Sequence, residues 1–331
     1  MLKRLAFAAI PLALAAPAQA RNILIADDVG LTGNVVALNR ELTDMGHDVI
    51  VSVPCMGQSG MGTAIKVFKP LTPLEAECHN GAARPGDPGA GAMTKDGFTN
   101  GDWFYANGTP TMAVLYGIDV TVKKRWGKAP DLVISGPNEG RNAGPIVLFS
   151  GTVSVTQAAA MRGVPAIATS GDLNSTSPPN APGDTSRAIA LRAAQIVAML
   201  DRRAGSGRIV PEGMILNVNF PADPADAPIR FTQLGTSEEF RLSMAESMAK
   251  DASPRMIEAV KARGQAIPEL PGIIGTQVPE STSPGHANDE ANVARSAIAI
   301  SPIQAGYALD PAWTECLETS MASELAGAAK P

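Results

Sequence analysis

The chain has 331 residues, a formal net charge of −5, 4% aromatic residues and three cysteines. An acidic chain with so few aromatic rings suits neither a phosphate backbone nor stacked bases, which argues against a nucleic-acid polymer as partner. Cys55, Cys78 and Cys316 are too few and too widely spaced for a zinc cluster.

Residues 1–20, MLKRLAFAAIPLALAAPAQA, place Lys3 and Arg4 before an apolar core that ends in Ala18-Gln19-Ala20. This is the pattern of a cleaved secretory signal, and the apolar run is too short for a comfortable membrane span. No later run of about 18 apolar residues follows. The expected product is exported, periplasmic or secreted, without a membrane partner. Residues 21–331 suffice for one large domain.

NILIA (22–26) is rich in branched apolar residues and reads as a buried strand. It runs into Asp27-Asp28, two adjacent acids that repel each other and resist burial. VVALNRELTDM (35–45) spaces Val35, Leu38 and Leu42 as a helix does, with Gly46 as its stop. DVIVSV (48–53) is a second strand, so the chain opens as a βαβ unit. Residues 75–108, dense in Gly, Pro, Asn and Asp, read as a long surface insertion. Cys78 lies in it and is the cysteine expected to be oxidised. Its partner stays open between Cys55 and Cys316, with Cys55 favoured.

DLVIS (131–135) and PAIATS (165–170) are further strands, and TVSVTQAAAMRG (152–163) is the helix between them. Residues 171–184 form a polar loop, 185–203 a strong amphipathic helix and MILNVNFP (214–221) a strand closed by proline. Residues 236–262 are polar and helix-compatible, 267–289 resemble a flexible arm, and ARSAIAISPI (294–303) is a late strand. A terminal helix is expected over 310–330, with Asp310 as its N-cap and Pro311 at its first position. Strands alternating with helices predict an α/β fold, a mainly parallel sheet with helices on both faces.

In such sheets ligands bind beyond the carboxyl ends of the strands. Asp27-Asp28, GQSGMG (57–62), SGPNEGRNAG (135–144) and FSGT (149–152) all fall there. Their carboxylate, amide and hydroxyl oxygens suit Mg²⁺ or Mn²⁺, and a cation would offset the repulsion between the acids. FSGT, opening a helix, offers backbone N–H groups and two hydroxyls to an anion. Metal and anion cradle together suggest phosphoryl transfer to water. A serine hydrolase fits less well, because His47, His79 and His286 stand at a helix–strand junction and in loops. The dinucleotide fingerprint fails at Ile65, and no P-loop is present.

QSGMG (58–62), NGTPTMAVLYG (107–117), PDLVISGPNEGRNAG (130–144), LFSGTV (148–153), GVPAIA (163–168), LNVNFP (216–221) and NDEANVARSAIAISPI (288–303) occur in one order after the acid pair. In that order they resemble the SurE family of survival-protein 5'/3'-nucleotidases and acid phosphatases. The leader and Gly-rich insertion are similar to its exported acid-phosphatase branch. The resemblance implies a Rossmann-like domain with a C-terminal extension arm, here matched by 267–303, that embraces a neighbour in a homodimer or homotetramer. It implies divalent-metal-dependent hydrolysis of nucleoside monophosphates or other small phosphate monoesters.

The resemblance also assigns residues. The metal would be held by the acids Asp27 and Asp28, which also carry the catalysis, with Ser59 and Asn138. Gly60, Asn142, Ser150, Gly151 and Thr152 would lie on the phosphate side, and Thr109, in GTP, would shape the pocket. The family reads Asn-Asp-Asp-Gly after its first strand. Aligned without a gap, Asp27 falls on the Asn, Asp28 on the first Asp and Val29 on the second. A one-residue shift restores both acids but misplaces the strand and Gly30. Met112 and Ala158 replace a usual Asp and Glu, and Cys55-Met56-Gly57 a more polar stretch. Two alternatives follow: a phosphate-ester binding protein with an impaired metal site, and an unrelated exported solute-binding protein.

Overall fold

The computed structural model describes residues 20–262, 266–307 and 311–321. The expected signal segment, apart from Ala20, and the expected Asp310 cap lie outside them. Among the described residues no helix is long and apolar enough to cross a membrane.

β1 (Asn22–Ala26) is the buried apolar run that opens the chain. α1 (Gly33–Asp44) is capped by Thr32, whose hydroxyl accepts from the Val35 N–H, and leads to β2 (Asp48–Pro54). Next come β3 (Ala90–Ala92), β4 (Trp103–Ala106), α2 (Pro110–Tyr116) and α3 (Val122–Trp126). β5 (Leu132–Glu139), α4 (Gly151–Met161), β6 (Ala166–Gly171), α5 (Asp184–Ala204) and β7 (Met214–Asn219) complete the alternating series. After β8 (Ile229–Phe231) the chain runs through β9 (Phe240–Ala245), α6 (Met248–Asp251), α7 (Pro254–Ala262) and β10 (Gly272–Gln277). It returns through α8 (Glu290–Val293) to β11 (Ile298–Gln304), and α9 (Pro311–Ser320) follows.

The main sheet has nine strands in the order β3-β4-β2-β1-β5-β6-β7-β11-β8. The run from β4 to β7 is parallel, while β3 and β11 are antiparallel to β4 and β7. Alternation along β1 fixes the layers. Ile23 and Ile25 join a cluster with Val35 and Leu38 of α1 and Ile189 and Ala193 of α5. Leu24 and Ala26 join Val114 of α2 and Val155 and Ala159 of α4 on the other face. A sheet buried on both faces explains why its strands are continuous apolar runs. β1 pairs with β2 on one side and β5 on the other. The strand order reverses there, and the loops after β1 and β5 border the resulting crevice.

Three expectations need correction. Residues 75–108 are not a surface insertion: β3 and β4 extend the main sheet, and Ala83, Met93, Trp103 and Tyr105 are buried. Gly and Pro density reports backbone curvature rather than exposure. Cys78 is buried as well and, as expected, pairs with Cys55, leaving Cys316 free and exposed. Residues 236–262 are not simply helical, because FRLSMA forms β9, a strand that alternates apolar and polar residues. Within the expected arm, 267–303, β10 pairs with β9 in a hairpin that holds α6 and α7 between its strands, whereas β11 belongs to the main sheet.

Candidate active site

Asp27 and Asp28 follow β1 directly, and both are buried. No side chain donates to either oxygen of Asp27, on which only the neighbouring Asp28 and Val29 backbone N–H groups bear, and Asp28 Oδ1 has no partner. The rest of Asp28 is well held. The hydroxyls of Ser59 and Thr152 and the Thr152 N–H donate to its carboxylate, and its carbonyl accepts from the Gln58 N–H at 2.8 Å. α4 thus directs its N-terminus at this acid, an arrangement its dipole favours. Gly151 makes the approach possible. A Cβ there would stand 2.6 Å from Asp28 Cβ and 2.8 Å from Oδ2, with no room for either.

Burial sets the charge state of the pair. It pushes the Asp28 carboxyl up to about 6, against the hydrogen bonds from Thr152 and Ser59. It raises Asp27 well above the usual carboxylate range, reinforced by the Asp28 charge and, more weakly, by Glu139, against the backbone N–H groups of Asp28 and Val29. Two carboxylates in this setting favour a cation between them.

β5 supplies the next group. Ala26 pairs with Ser135, and the register breaks between Ser135 and Asn138, so the loops after β1 and β5 lie side by side. Asn138 donates its Nδ2 to the Gly140 carbonyl at 2.8 Å, which leaves its buried Oδ1 without a partner. Asn142 is locked in place. Its N–H donates to Asn219 Oδ1 at 2.9 Å, and its Nδ2 donates to Ser170 Oγ at 3.0 Å and Thr152 Oγ1 at 3.3 Å. Ser150 caps α4, its Oγ accepting from the Val153 N–H at 3.1 Å. The Ser150 and Thr152 hydroxyls, expected to face an anion, are thus engaged inside the protein.

Gly60 lies at φ +87° in the exposed loop that carries Ser59. Thr109 caps α2 and donates its hydroxyl to the Ala64 carbonyl, and the next residue, Pro110, approaches the Gly151 position. Val29 is half-buried.

The unpartnered oxygens test the fit of a metal. Asp27 Oδ1 and Oδ2, Asp28 Oδ1 and Asn138 Oδ1 are hard donors, all buried and none held by a side chain. Such groups are costly without a partner, and hard oxygen sets suit Mg²⁺ or Mn²⁺. The donor set fits. It is a mixed one, because no group of three or more His, Cys, Asp or Glu among the described residues forms a metal-holding cluster. His47 is bound up elsewhere: it is buried, and its Nδ1 accepts from the Arg21 N–H at the start of β1. A cavity of about 1220 Å³ runs along α4 past Thr111, Val153 and Ile303, and none of the four candidate ligands lines it.

Sequence reasoning missed three groups. Glu139 lies beside Asp27 electrostatically, Arg141 is buried in the same loop, and Asn217 and Asn219 hold Asn142 from β7. Glu139 and Arg141 stood inside the SGPNEGRNAG string, and the repeated asparagines of LNVNFP were the available signal for the last pair.

A mainly parallel, doubly covered sheet with a buried acid pair at its switch point defines a Rossmann-like α/β protein. The chain belongs to the SurE family: residues 23–240 match the model described as Survival protein SurE. It is 35% identical over 201 residues to an acid phosphatase of Yarrowia lipolytica, covering 59% of this chain and 55% of that one. It is 35% identical to a 5'-nucleotidase SurE of Nitratidesulfovibrio vulgaris, covering 57% of this chain and 56% of the relative. For the 5'-nucleotidase SurE of Methanothermobacter thermautotrophicus the identity is 34%, covering 64% of this chain and 72% of the relative. The chain thus spans little more than half the length of the first two relatives. The crystal structure of the SurE protein from Aquifex aeolicus superposes with a TM-score of 0.60 at 21% identity. That match covers 90% of this chain and 98% of the other, and it carries the fold.

Proposed function

We propose that the protein is an exported, divalent-metal-dependent phosphomonoesterase acting on nucleoside monophosphates or similar small phosphate monoesters. The observation that carries this reading is the set of unpartnered buried oxygens on Asp27, Asp28 and Asn138. Asp27, Asp28, Asn138 and the Ser59 hydroxyl would hold the ion, with Mg²⁺ or Mn²⁺ as the best chemical match. A bound divalent ion supplies charge to the phosphoryl oxygens and lowers the pKa of a bound water.

The chain's own residues do the rest. Ser59, Thr152 and the start of α4 fix Asp28. Gly60 and the Gly151 backbone would lie on the phosphate side, with Asn142 holding Thr152 in place and Thr109 holding the wall that begins at Pro110. Membership of a family with relatives named 5'-nucleotidase and acid phosphatase supports the reaction class. The buried Cys55–Cys78 disulfide supports an oxidising compartment, in line with the leader-like residues 1–20.

We also propose that the protein assembles as a homodimer or homotetramer through the β9–β10 arm. A two-stranded ribbon is marginal by itself, and Leu242, Met244, Leu270 and Ile273 are exposed on and beside it. The decisive experiment is phosphate release from a panel of phosphomonoesters, in chelator and with Mg²⁺ or Mn²⁺ restored. Full activity in excess EDTA after metal-free dialysis refutes the mechanism.

A further inference from the structure

We infer that Arg141 is a positioning residue: its pair with Glu239 sets the 138–144 loop and ties the β9–β10 hairpin to the site. The inference rests on the metal-site reading above. Arg141 stands between Asn138 and Asn142, and its side chain is only 7% exposed. Nε donates to Glu239 Oε2 at 2.8 Å and a terminal nitrogen donates to Oε1, the fork-to-fork geometry that fixes both planes. Nη1 reaches Asp172 Oδ2 at 2.8 Å and the Phe220 carbonyl at 3.4 Å. Asp172 follows β6, Phe220 follows β7, and Glu239 precedes β9. One guanidinium therefore gathers two parallel strand ends and the base of the hairpin.

The path to the acids is short. The Asn142 carbonyl accepts from the side-chain amides of Asn217 at 2.8 Å and Asn219 at 2.9 Å, next to Phe220. Its side chain bonds Thr152, and Thr152 bonds Asp28. Asn138, with its unpartnered oxygen, is three residues to the other side. A displaced Arg141 moves both asparagines.

The hairpin side is equally tight. The Val278 N–H closes the hairpin base on the Glu239 carbonyl at 2.8 Å. Gly144 packs where a Cβ would stand 2.1 Å from the Ser237 carbonyl oxygen, and its N–H donates to Glu290 Oε1 at 2.7 Å. A buried ion pair contributes little net stability compared with apolar groups of the same shape. What it contributes here is a directional grip that lysine cannot reproduce.

The test uses Glu239→Gln, which keeps the shape and leaves Arg141 its Asp172 partner, and Arg141→Lys, which keeps the charge and loses the fork. Asp201→Asn is the control. It breaks the Arg21–Asp201 pair, which is also buried, with a 2.6 Å contact, but lies at the start of β1. Mn²⁺ affinity is read by electron paramagnetic resonance of the free ion, turnover with p-nitrophenyl phosphate, and loop order by hydrogen exchange of 138–144. Both site variants should weaken Mn²⁺ binding and lower kcat/KM about tenfold, as losses of outer-shell partners do. They should also speed exchange in 138–144, while Asp201→Asn lowers only the melting temperature. Site variants that match Asp201→Asn in all three readouts overturn the inference. If the wild type neither binds Mn²⁺ nor releases phosphate, the metallophosphatase reading falls, and exchange in 138–144 alone decides the positioning role.

Discussion

Asp28→Asn should stabilise the metal-free protein at alkaline pH while destroying its response to metal. The carboxyl rises from an ordinary 3.8 to about 6 in the fold, net of the hydrogen bonds that hold it. That rise corresponds to about 3 kcal/mol. The folded state binds the proton more tightly than the unfolded state, so this group's contribution is fully favourable below about pH 4. It is lost as pH climbs to about 6, and it stays lost above that. Asn cannot ionise and does not incur this loss. At about 2 °C per kcal/mol for a chain of this size, the variant in EDTA at pH 8 should melt about 6 °C above wild type. The gap should close near pH 4.5. Added Mn²⁺ should raise the wild-type melting temperature by mass action and leave the variant unmoved. The assay is a thermal melt of both proteins across pH, with and without metal. A variant that melts lower than wild type at pH 8 in EDTA, or that gains as much from Mn²⁺, refutes the reasoning.

Because Asp27 is buried with both oxygens free, Asp27→Asn should cost roughly two orders of magnitude in Mn²⁺ affinity, about 2.8 kcal/mol. Val29→Asp should not tighten binding, and a titration in which it does would move the second carboxylate to position 29. Gly151→Ala should lower stability by about 1–3 kcal/mol through overpacking against Asp28, and phosphate release should fall with it; an unaltered melt and rate would contradict the close approach. Reducing Cys55–Cys78, separated by 23 residues, should cost about 3 kcal/mol by urea unfolding, and a non-reduced digest with all three thiols free would disprove the bond. Light scattering should find an oligomer, with a monomer once the hairpin is removed; a monomeric wild type at micromolar concentration contradicts the arm's proposed role.

The βα series was legible because period and punctuation agreed there. β1, α1, β2 and β5 to β7 carry branched apolar runs and stop signals at their ends, and the burial of the sheet on both faces enforces those patterns. The acid pair was legible for the opposite reason, since charge at a strand end contradicts its surroundings and needs an explanation. Residues 75–108 were misread because Gly and Pro describe local turns, whereas burial of Trp103 and Tyr105 depends on what the turns fold against. β9 was hidden by its exposure: Arg241 and Ser243 leave only three alternating apolar residues to mark the strand. The roles of Arg141 and Glu239 could not be read at all. They are 98 residues apart, and one ionic pair leaves no periodic trace.

The route of the chain between β8 and β11 has a practical consequence. These two strands are neighbours at the edge of the main sheet, and Phe240 and Gln277 face each other at the base of the hairpin. Everything between Arg241 and Thr276 is an excursion whose entry and exit are already joined. Shortening it to a tight turn, lengthening it or exchanging it for a foreign peptide should leave the order of the nine strands unchanged. The position is a natural grafting port, provided that Glu239 and Val278 are kept as its hinge pins.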